Sequence, residues 1–296
     1  MSNTTKILLR TKKLLNVKQK NLKSKTLGET QIILSVRNID ASYGNSKILF
    51  KVSLDVKKSS NLAIVGESGS GKSTLARCIV GLLPVDSGEL TYENRKLPRE
   101  LTNRSKSDRK KIQMIYQMPD VAMNPRQTIL EIIGRPTEIF LGLKKNEVQR
   151  RVKDLLELVE LSPELTEKYP NQLSGGQKQR VCIARALAAE PDLIICDEIT
   201  SALDPIVADG ILRLLMNLQK SIGVTYIFIT HDMAMVKMIA DEVAVMKDGE
   251  VIEIGSSKRI LTPPFNEHTE LLISSTPEMR VGWLEDFLSK RKEIKL

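Results

Sequence analysis

The sequence predicts an α/β fold: a parallel sheet built around a phosphate-binding loop, with an antiparallel β subdomain and a helical subdomain attached. Three observations carry this. Leu62-Ala63-Ile64-Val65 is a short apolar run leading into Gly66-Glu67-Ser68-Gly69-Ser70-Gly71-Lys72-Ser73. A second glycine-rich turn, Leu173-Ser174-Gly175-Gly176-Gln177, follows about 100 positions later. Asp192-Leu193-Ile194-Ile195-Cys196 is a second apolar run, and it ends at Asp197-Glu198.

Ile32 to Val56 holds two strand-like runs around Tyr43-Gly44, which suggests an antiparallel sheet. The run 62–65 reads as a buried parallel strand. After it, Gly66, Gly69 and Gly71 let the backbone turn tightly and bring N–H groups close to phosphate oxygens. Lys72 supplies a point charge for the β- and γ-phosphates, and the Ser73 hydroxyl suits Mg²⁺. Thr74 through Leu83 has apolar residues at helical spacing (Leu75, Ile79, Val80, Leu82, Leu83) and is expected to stop at Pro84. The start of that helix aims partial positive charge at the phosphates.

From about Glu89 to Asn171 the chain turns charged and is expected to be helical, with Glu147 to Leu161 periodic at Val148, Val152, Leu155, Leu156 and Val159. The second glycine turn then opens a segment, Gln177 to Glu190, with Val181, Ala184, Leu187 and Ala188 on one face. It is a second helix start able to hold an anion, with the Ser174 hydroxyl added. Taken alone, Ser-Gly-Gly also suits a helix start with no ligand; its neighbours weigh against that. One triphosphate does not need two such sites within one subunit, but it would need them if the second came from a partner molecule.

The run 192–196 reads as a buried strand that delivers Asp197, able to hold Mg²⁺ through water. Glu198 is then placed to polarise an attacking water, help typically worth about 10²–10⁴ in rate. Ser201-Ala202-Leu203-Asp204 comes next, and Leu203 to Gln219 reads as a helix. Val224 to Ile229 is a β-branched and aromatic strand ending at Thr230-His231-Asp232. A histidine at that strand end, in a chain with a phosphate site, favours a γ-phosphate contact. Val243 to Met246 and Glu250 to Ile254 flank Lys247-Asp248-Gly249, a hairpin signal.

With these motifs in this order, residues about 33–255 resemble the nucleotide-binding subunit of an ATP-binding cassette (ABC) transporter. The resemblance implies a P-loop NTPase of the RecA-like kind that binds ATP and Mg²⁺. It makes Tyr43 the ring that stacks on adenine, and Gly66 to Thr74 the phosphate loop. Gln117 becomes the glutamine that senses Mg²⁺ and the membrane partner. Ser174, Gly175, Gly176 and Gln177 would cap the ATP of the opposite subunit. Asp197 and Glu198 form the acidic pair, Asp204 lies in the loop crossing the dimer interface, and His231 is the switch histidine. Metal contacts fall to Ser73, Gln117 and Asp197. Ile199 departs from the family, which usually has proline there; both carboxylates remain, so activity is expected to survive.

Met114-Ile115-Tyr116-Gln117-Met118-Pro119 and Met123-Asn124-Pro125-Arg126 resemble the peptide/nickel importer ATPases. Cys196 to Asp204 fits the same group, as does the tail with Pro263-Pro264, Glu267-His268-Thr269 and 271–277. That group usually has a His-Pro-Tyr-Thr tract here, of which this chain keeps part. Some members carry an iron–sulfur cluster on tail cysteines; this tail has none, so no cluster is expected. The expected partners are two transmembrane permease subunits, a second ATPase subunit (the same chain or a sister), and, indirectly, an extracytoplasmic substrate-binding protein. The expected location is the cytoplasmic face of the plasma membrane.

Composition is compatible. At 296 residues, 41% hydrophobic and 27% charged, the chain can bury one cassette core. Cys78, Cys182 and Cys196 lack metal-ligand spacing and read as core thiols. No apolar run approaches the ~18 residues needed to span a bilayer. The net charge of +9 is concentrated in residues 1–30, which carry +7, so the other 266 residues are close to neutral and no nucleic acid is expected. That leader lacks an apolar centre of secretory type and reads as a flexible, solvated extension or linker. The expected domains are the leader 1–30, the cassette 31–255 with a helical subdomain at about 89–171, and an accessory extension 256–296. The competing function class is a soluble cassette ATPase of DNA repair, chromosome structure or translation. Repair and chromosome types insert zinc modules or coiled coils before the second glycine turn, and translation types usually carry two cassettes. Neither pattern is present.

Overall fold

The computed structural model describes residues 31–274; the leader 1–30 and residues 275–296 lie outside the described residues. Two strands, β1 (Ile32–Tyr43) and β2 (Ser46–Lys57), pair antiparallel, with Tyr43 opposite Ser46 at the turn. β3 (Asn61–Val65) leads through the glycine loop into α1 (Lys72–Val80). β4 (Ser87–Tyr92) and β5 (Arg95–Lys96) return to the first sheet, whose order is β2-β1-β4-β5. A short helix α2 (Lys106–Lys111), closed by a Ser105/Asp108 capping box, then feeds β6 (Ile112–Ile115).

The helical lobe follows β6. It contains α3 (Pro119–Ala122), α4 (Ile129–Pro136), α5 (Lys145–Leu158) and α6 (Gly175–Ala188). β7 (Leu193–Asp197), α7 (Pro205–Ile222), β8 (Thr225–Ile229), α8 (Met233–Ile239) and β9 (Glu242–Lys247) complete the parallel sheet. β10 (Glu250–Ser256) adds antiparallel to β9, giving the order β10-β9-β3-β8-β7-β6. The hairpin residues Asp248 and Gly249 both have positive φ, 46° and 83°, as a two-residue turn of this twist requires. Two short helices, α9 (Ser257–Ile260) and α10 (Glu267–Ser274), end the described chain. Leu272 and Ile273 of α10 pack on the apolar group around Val243 and Val245.

Strand alternation sorts the core. Leu62, Ile64, Ile195 and Ile227 face α1 and the antiparallel sheet, meeting Leu75, Ile79, Val36 and Leu49. Ile194, Cys196, Tyr226 and Phe228 face the other way, continuous with Val152, Leu155 and Leu156 of the helical lobe. All three cysteines are buried and free. Among the described residues, no helix is long and apolar enough to cross a membrane.

Several element boundaries differ from the sequence expectation; the helix expected from Leu203 to Gln219, for one, runs from Pro205 to Ile222. The helix after the phosphate loop ends at Gly81, three positions before Pro84, because Gly81 adopts a left-handed cap with its N–H on the Cys78 carbonyl. The stretch from Glu89 is not helical at first: β4, β5 and β6 occupy part of 87–115, and β6 belongs to the parallel sheet beside β7. These strands are two to six residues long, too short to show a period. The third helix starts at Gly175 rather than Gln177, because Ser174 and Gln177 form a reciprocal capping box around Gly175 and Gly176.

Leu155 is fully buried where α5 meets α6. Leu155→Ala is expected to cost about 2–5 kcal/mol by urea unfolding; a variant as stable as the parent would contradict this placement of the lobe's core.

Candidate active site

Parallel pairing puts the carboxyl ends of β3, β8 and β7 side by side, and the site is assembled there. Gly66 begins the loop against β9: a Cβ at Gly66 would sit 2.2 Å from the Met246 carbonyl oxygen, so only glycine fits. Lys72 is buried, and its Nζ donates to the Gly66 and Glu67 carbonyls at 2.8 and 2.7 Å. Burial pulls its pKa down, against the opposing pull of Glu198, Asp197 and Glu67. Glu67, Ser68 and Gly69 are exposed at the loop's crest, whereas Ser70 and Thr74 are buried. No side chain caps the start of α1, so its first N–H groups are left for an anion.

Ser73 Oγ donates to Asp197 Oδ1 at 2.9 Å across 124 residues of sequence. Two oxygen donors at this spacing, one a carboxylate beside a phosphate loop, suit a hard cation such as Mg²⁺. Burial is the main influence on Asp197 and raises its pKa above 3.8; the Ser73 bond opposes it and Glu198 adds to it.

Glu198 follows with φ 47°, its N–H bonded to the Ile229 carbonyl of β8 at 2.9 Å. Its Oε2 accepts from Gln117 Nε2 at 2.8 Å, and its Oε1 lies 3.3 Å from His231 Nδ1. Gln117 Nε2 also reaches Ser201 Oγ at 3.3 Å, and Ser201 donates to the Glu198 carbonyl. Gln117 thus contacts Glu198 and Ser201 rather than the Ser73–Asp197 pair. Ile199 is buried among the helical-lobe residues, and both carboxylates before it remain at the strand end. Glu198, Ser201, His231 and Met235 line part of a cavity of about 420 Å³.

Ser174 to Gln177 sit elsewhere. Ser174 Oγ accepts the Gln177 N–H, and Gln177 Oε1 accepts the Ser174 N–H. Among the described residues, no hydrogen bond or ion pair joins them to the phosphate loop. They abut α7 instead: a Cβ on Gly176 would lie 2.6 Å from Val207 Cγ1. Asp204 caps α7 by accepting the Val207 N–H. Lys178 Nζ donates to Asp120 at 2.6 Å and Arg185 donates to the Ala122 carbonyl, so α6 is tied to the segment after Gln117. Tyr43 ends β1, partly exposed, its hydroxyl accepting from Arg77 at 2.8 Å. Sequence reasoning named neither Arg77 nor Ser201 as a site residue. Their signals, an Arg five positions after Lys72 and a Ser three after Glu198, are only positional.

A parallel sheet that gathers a phosphate loop, a buried aspartate, a glutamate and a histidine at its strand ends defines a nucleotide triphosphatase of the P-loop class. The ABC transporter family profile matches residues 49–201, and the chain belongs to that family. It is similar to the oligopeptide transport ATP-binding protein OppF of Haemophilus influenzae, with 39% identity over 279 residues, 94% of this chain and 80% of that one. Among solved structures it is similar to cbiO1 of Clostridium perfringens, part of the ABC transporter complex cbiONQ. That match has a TM-score of 0.70 and 29% identity, over 87% of this chain and 99% of the other. It is also similar to a dimeric ATP-binding cassette in a post-hydrolysis state bound to ADP and Pi. There the TM-score is 0.67 and the identity 32%, over 76% of this chain and 99% of the other. The chain is therefore the ATP-binding, ATP-hydrolysing part of an ABC transporter. The first two of these relatives are named as components of transport systems.

The raised pKa of Asp197 has a stability consequence. A carboxyl whose folded pKa lies above its unfolded value destabilises the fold once pH passes the folded value, and the penalty vanishes below the unfolded one. Asp197→Asn keeps an acceptor for Ser73 but never ionises. Without nucleotide it is expected to raise the thermal midpoint at pH 7, with the gain shrinking as pH falls toward 3.8. Equal midpoints at pH 7 would contradict the buried-charge account.

Proposed function

We propose that this chain energises the import of peptides or a related small solute, working as one of two cassettes beneath two membrane permease subunits. The location this implies is the cytoplasmic face of the plasma membrane, with an extracytoplasmic binding protein delivering the solute. The name of the Haemophilus influenzae relative, an oligopeptide transport ATP-binding protein, supports a peptide-like cargo. The observation that carries the two-cassette reading is a separation. Lys72, Ser73, Asp197, Glu198, Gln117 and His231 converge, while Ser174 to Gln177 form a second helix start that abuts α7 and, among the described residues, makes no hydrogen bond or ion pair to the phosphate loop.

In this reading Tyr43 stacks on adenine, and the backbone of Gly66 to Thr74, with Lys72, holds the phosphates. Ser73 and Asp197, with Gln117 nearby, would hold Mg²⁺, which neutralises charge on the β- and γ-phosphates when bound. Glu198 accepts a hydrogen bond from water and polarises it for in-line attack on the γ-phosphorus as the bond to the β-phosphate oxygen breaks. For that, Glu198 exchanges its bond from Gln117 for one from water. His231, already beside Glu198, is placed to contact the γ-phosphate. Ser174 to Gln177 and Asp204 of one copy close over the ATP of the other. The lobe of α3 to α6 is the part that meets the permease, and closing the dimer draws two such lobes together. Residues 256–274, with β10's end and α9 to α10, form an accessory piece docked on the sheet edge.

Glu198→Gln is expected to bind ATP normally, to lose about 10²–10⁴ of its hydrolysis rate, and to accumulate as an ATP-bound dimer on size exclusion. Hydrolysis near the parent rate would refute the assignment. Lys72→Ala is expected to weaken ATP binding itself, by direct titration, rather than turnover alone. For the cargo, ATPase activity of the chain reconstituted with its permease should rise with peptide in the presence of the binding protein. No response to any peptide would overturn the peptide reading.

A further inference from the structure

We infer that Arg77 is a positioning residue for the nucleotide base: its guanidinium holds the Tyr43 ring at a fixed place relative to the phosphate loop. The inference rests on the reading of Tyr43 as the ring that stacks on adenine. Tyr43 is the last residue of β1, 42% exposed, at the turn where β1 gives way to β2. Packing alone therefore leaves much of its ring unclamped. Arg77 Nη1 donates to its hydroxyl at 2.8 Å, the one side-chain hydrogen bond that Tyr43 makes among the described residues. An arginine can only donate, so the phenol oxygen must be the acceptor, and the ring is held from its far end.

Arg77 is well placed for this. On α1 its neighbours Leu75, Ala76, Cys78, Ile79 and Val80 are buried, which fixes the helix, while Arg77 itself is exposed. It lies five residues after Lys72, about 7.5 Å along the helix axis. One rigid helix thus carries both the cation for the phosphates and the clamp for the ring. A ligand with a polyphosphate chain and an aromatic base can use both, whereas a bare polyphosphate uses only the first. Arg77 therefore contributes to choosing nucleotides over other anions, without itself being a catalytic residue. The bond to Tyr43 is also the largest influence on the Arg77 pKa, which it raises.

The test compares dissociation constants of the full chain for Mg-ATP and for inorganic tripolyphosphate. Arg77→Met and Tyr43→Phe should each weaken ATP binding about three- to tenfold, the range of an ordinary hydrogen bond, because this exposed bond acts on the ligand only through the ring. The double variant should lose no more than either single one, because both remove the same bond. Tripolyphosphate binding should stay within about twofold. Tyr43→Ala, which removes the ring, should weaken ATP roughly 5- to 150-fold, as for a lost base–aromatic stack. ATP binding unchanged in Tyr43→Ala would sink the stacking reading itself. If Tyr43→Ala weakens ATP but Arg77→Met does not, the inference about Arg77 is overturned and stacking stands. It is equally overturned if the two single losses multiply, or if Arg77→Met weakens tripolyphosphate as much as ATP. Should Arg77→Met fail to fold, Tyr43→Phe carries the same comparison, and ATP affinity at the parent level in that variant overturns the inference.

Discussion

The bond between Ser73 and the buried carboxylate of Asp197 is the constraint on which the catalytic face depends. It closes a pocket in which Lys72 and Asp197, two groups of opposite charge, are both removed from water. Burying charge is costly unless the partners are held in place. Here they are held by the sheet, because β3 and β7 both pair with β8 in parallel register and deliver their ends together. Everything else at the site is hung on those ends. Glu198 takes its direction from a backbone bond to β8, and His231 begins the turn that β8 leads into. The antiparallel sheet and the helical lobe pack on opposite faces of the same strands, and the ends of those strands hold the site between them.

The two glycine-rich helix starts differ in how they are capped. At α1 the cap position is Gly71, which offers no side chain, so the helix start is left open. At α6 the cap is Ser174, whose hydroxyl and whose partner Gln177 satisfy each other. The first is an open helix start backed by a buried lysine; the second is a helix end whose capping residues satisfy each other. Gly176 is needed there because Val207 of α7 leaves no room for a larger residue. The segment after Gln117 is in turn bound to α6 through Asp120 and Lys178. The polar chain at Glu198 and the second helix start are thus mechanically linked through the helical lobe.

Much of this was legible in the sequence. Leu62 to Val65 and Leu193 to Cys196 read as buried strands because both of their faces are covered, so the apolar run is unbroken. The phosphate loop and the acidic pair announce themselves by residue type and spacing. What the sequence hid were features fixed by distant partners. β4 and β6 are only six and four residues long, too short to show a period, and only their pairing with β1 and β7 reveals them. Gly81 ends α1 three residues before the proline that seemed the obvious stop. Arg77 and Ser201 belong to the site through single hydrogen bonds, and no local pattern marks a side chain whose role is to hold another.

Lys72 donates to two carbonyls of its own loop, and this gives the site a threshold. An incoming anion must trade places with oxygens that already satisfy the ammonium, so the first contact with Lys72 is an exchange rather than a net gain. A lone phosphate ion, with one centre of charge, has little beyond that exchange to offer. A triphosphate brings further oxygens for the open start of α1 and for the loop amides. The exchange at Lys72 therefore favours a longer phosphate chain over a single phosphate.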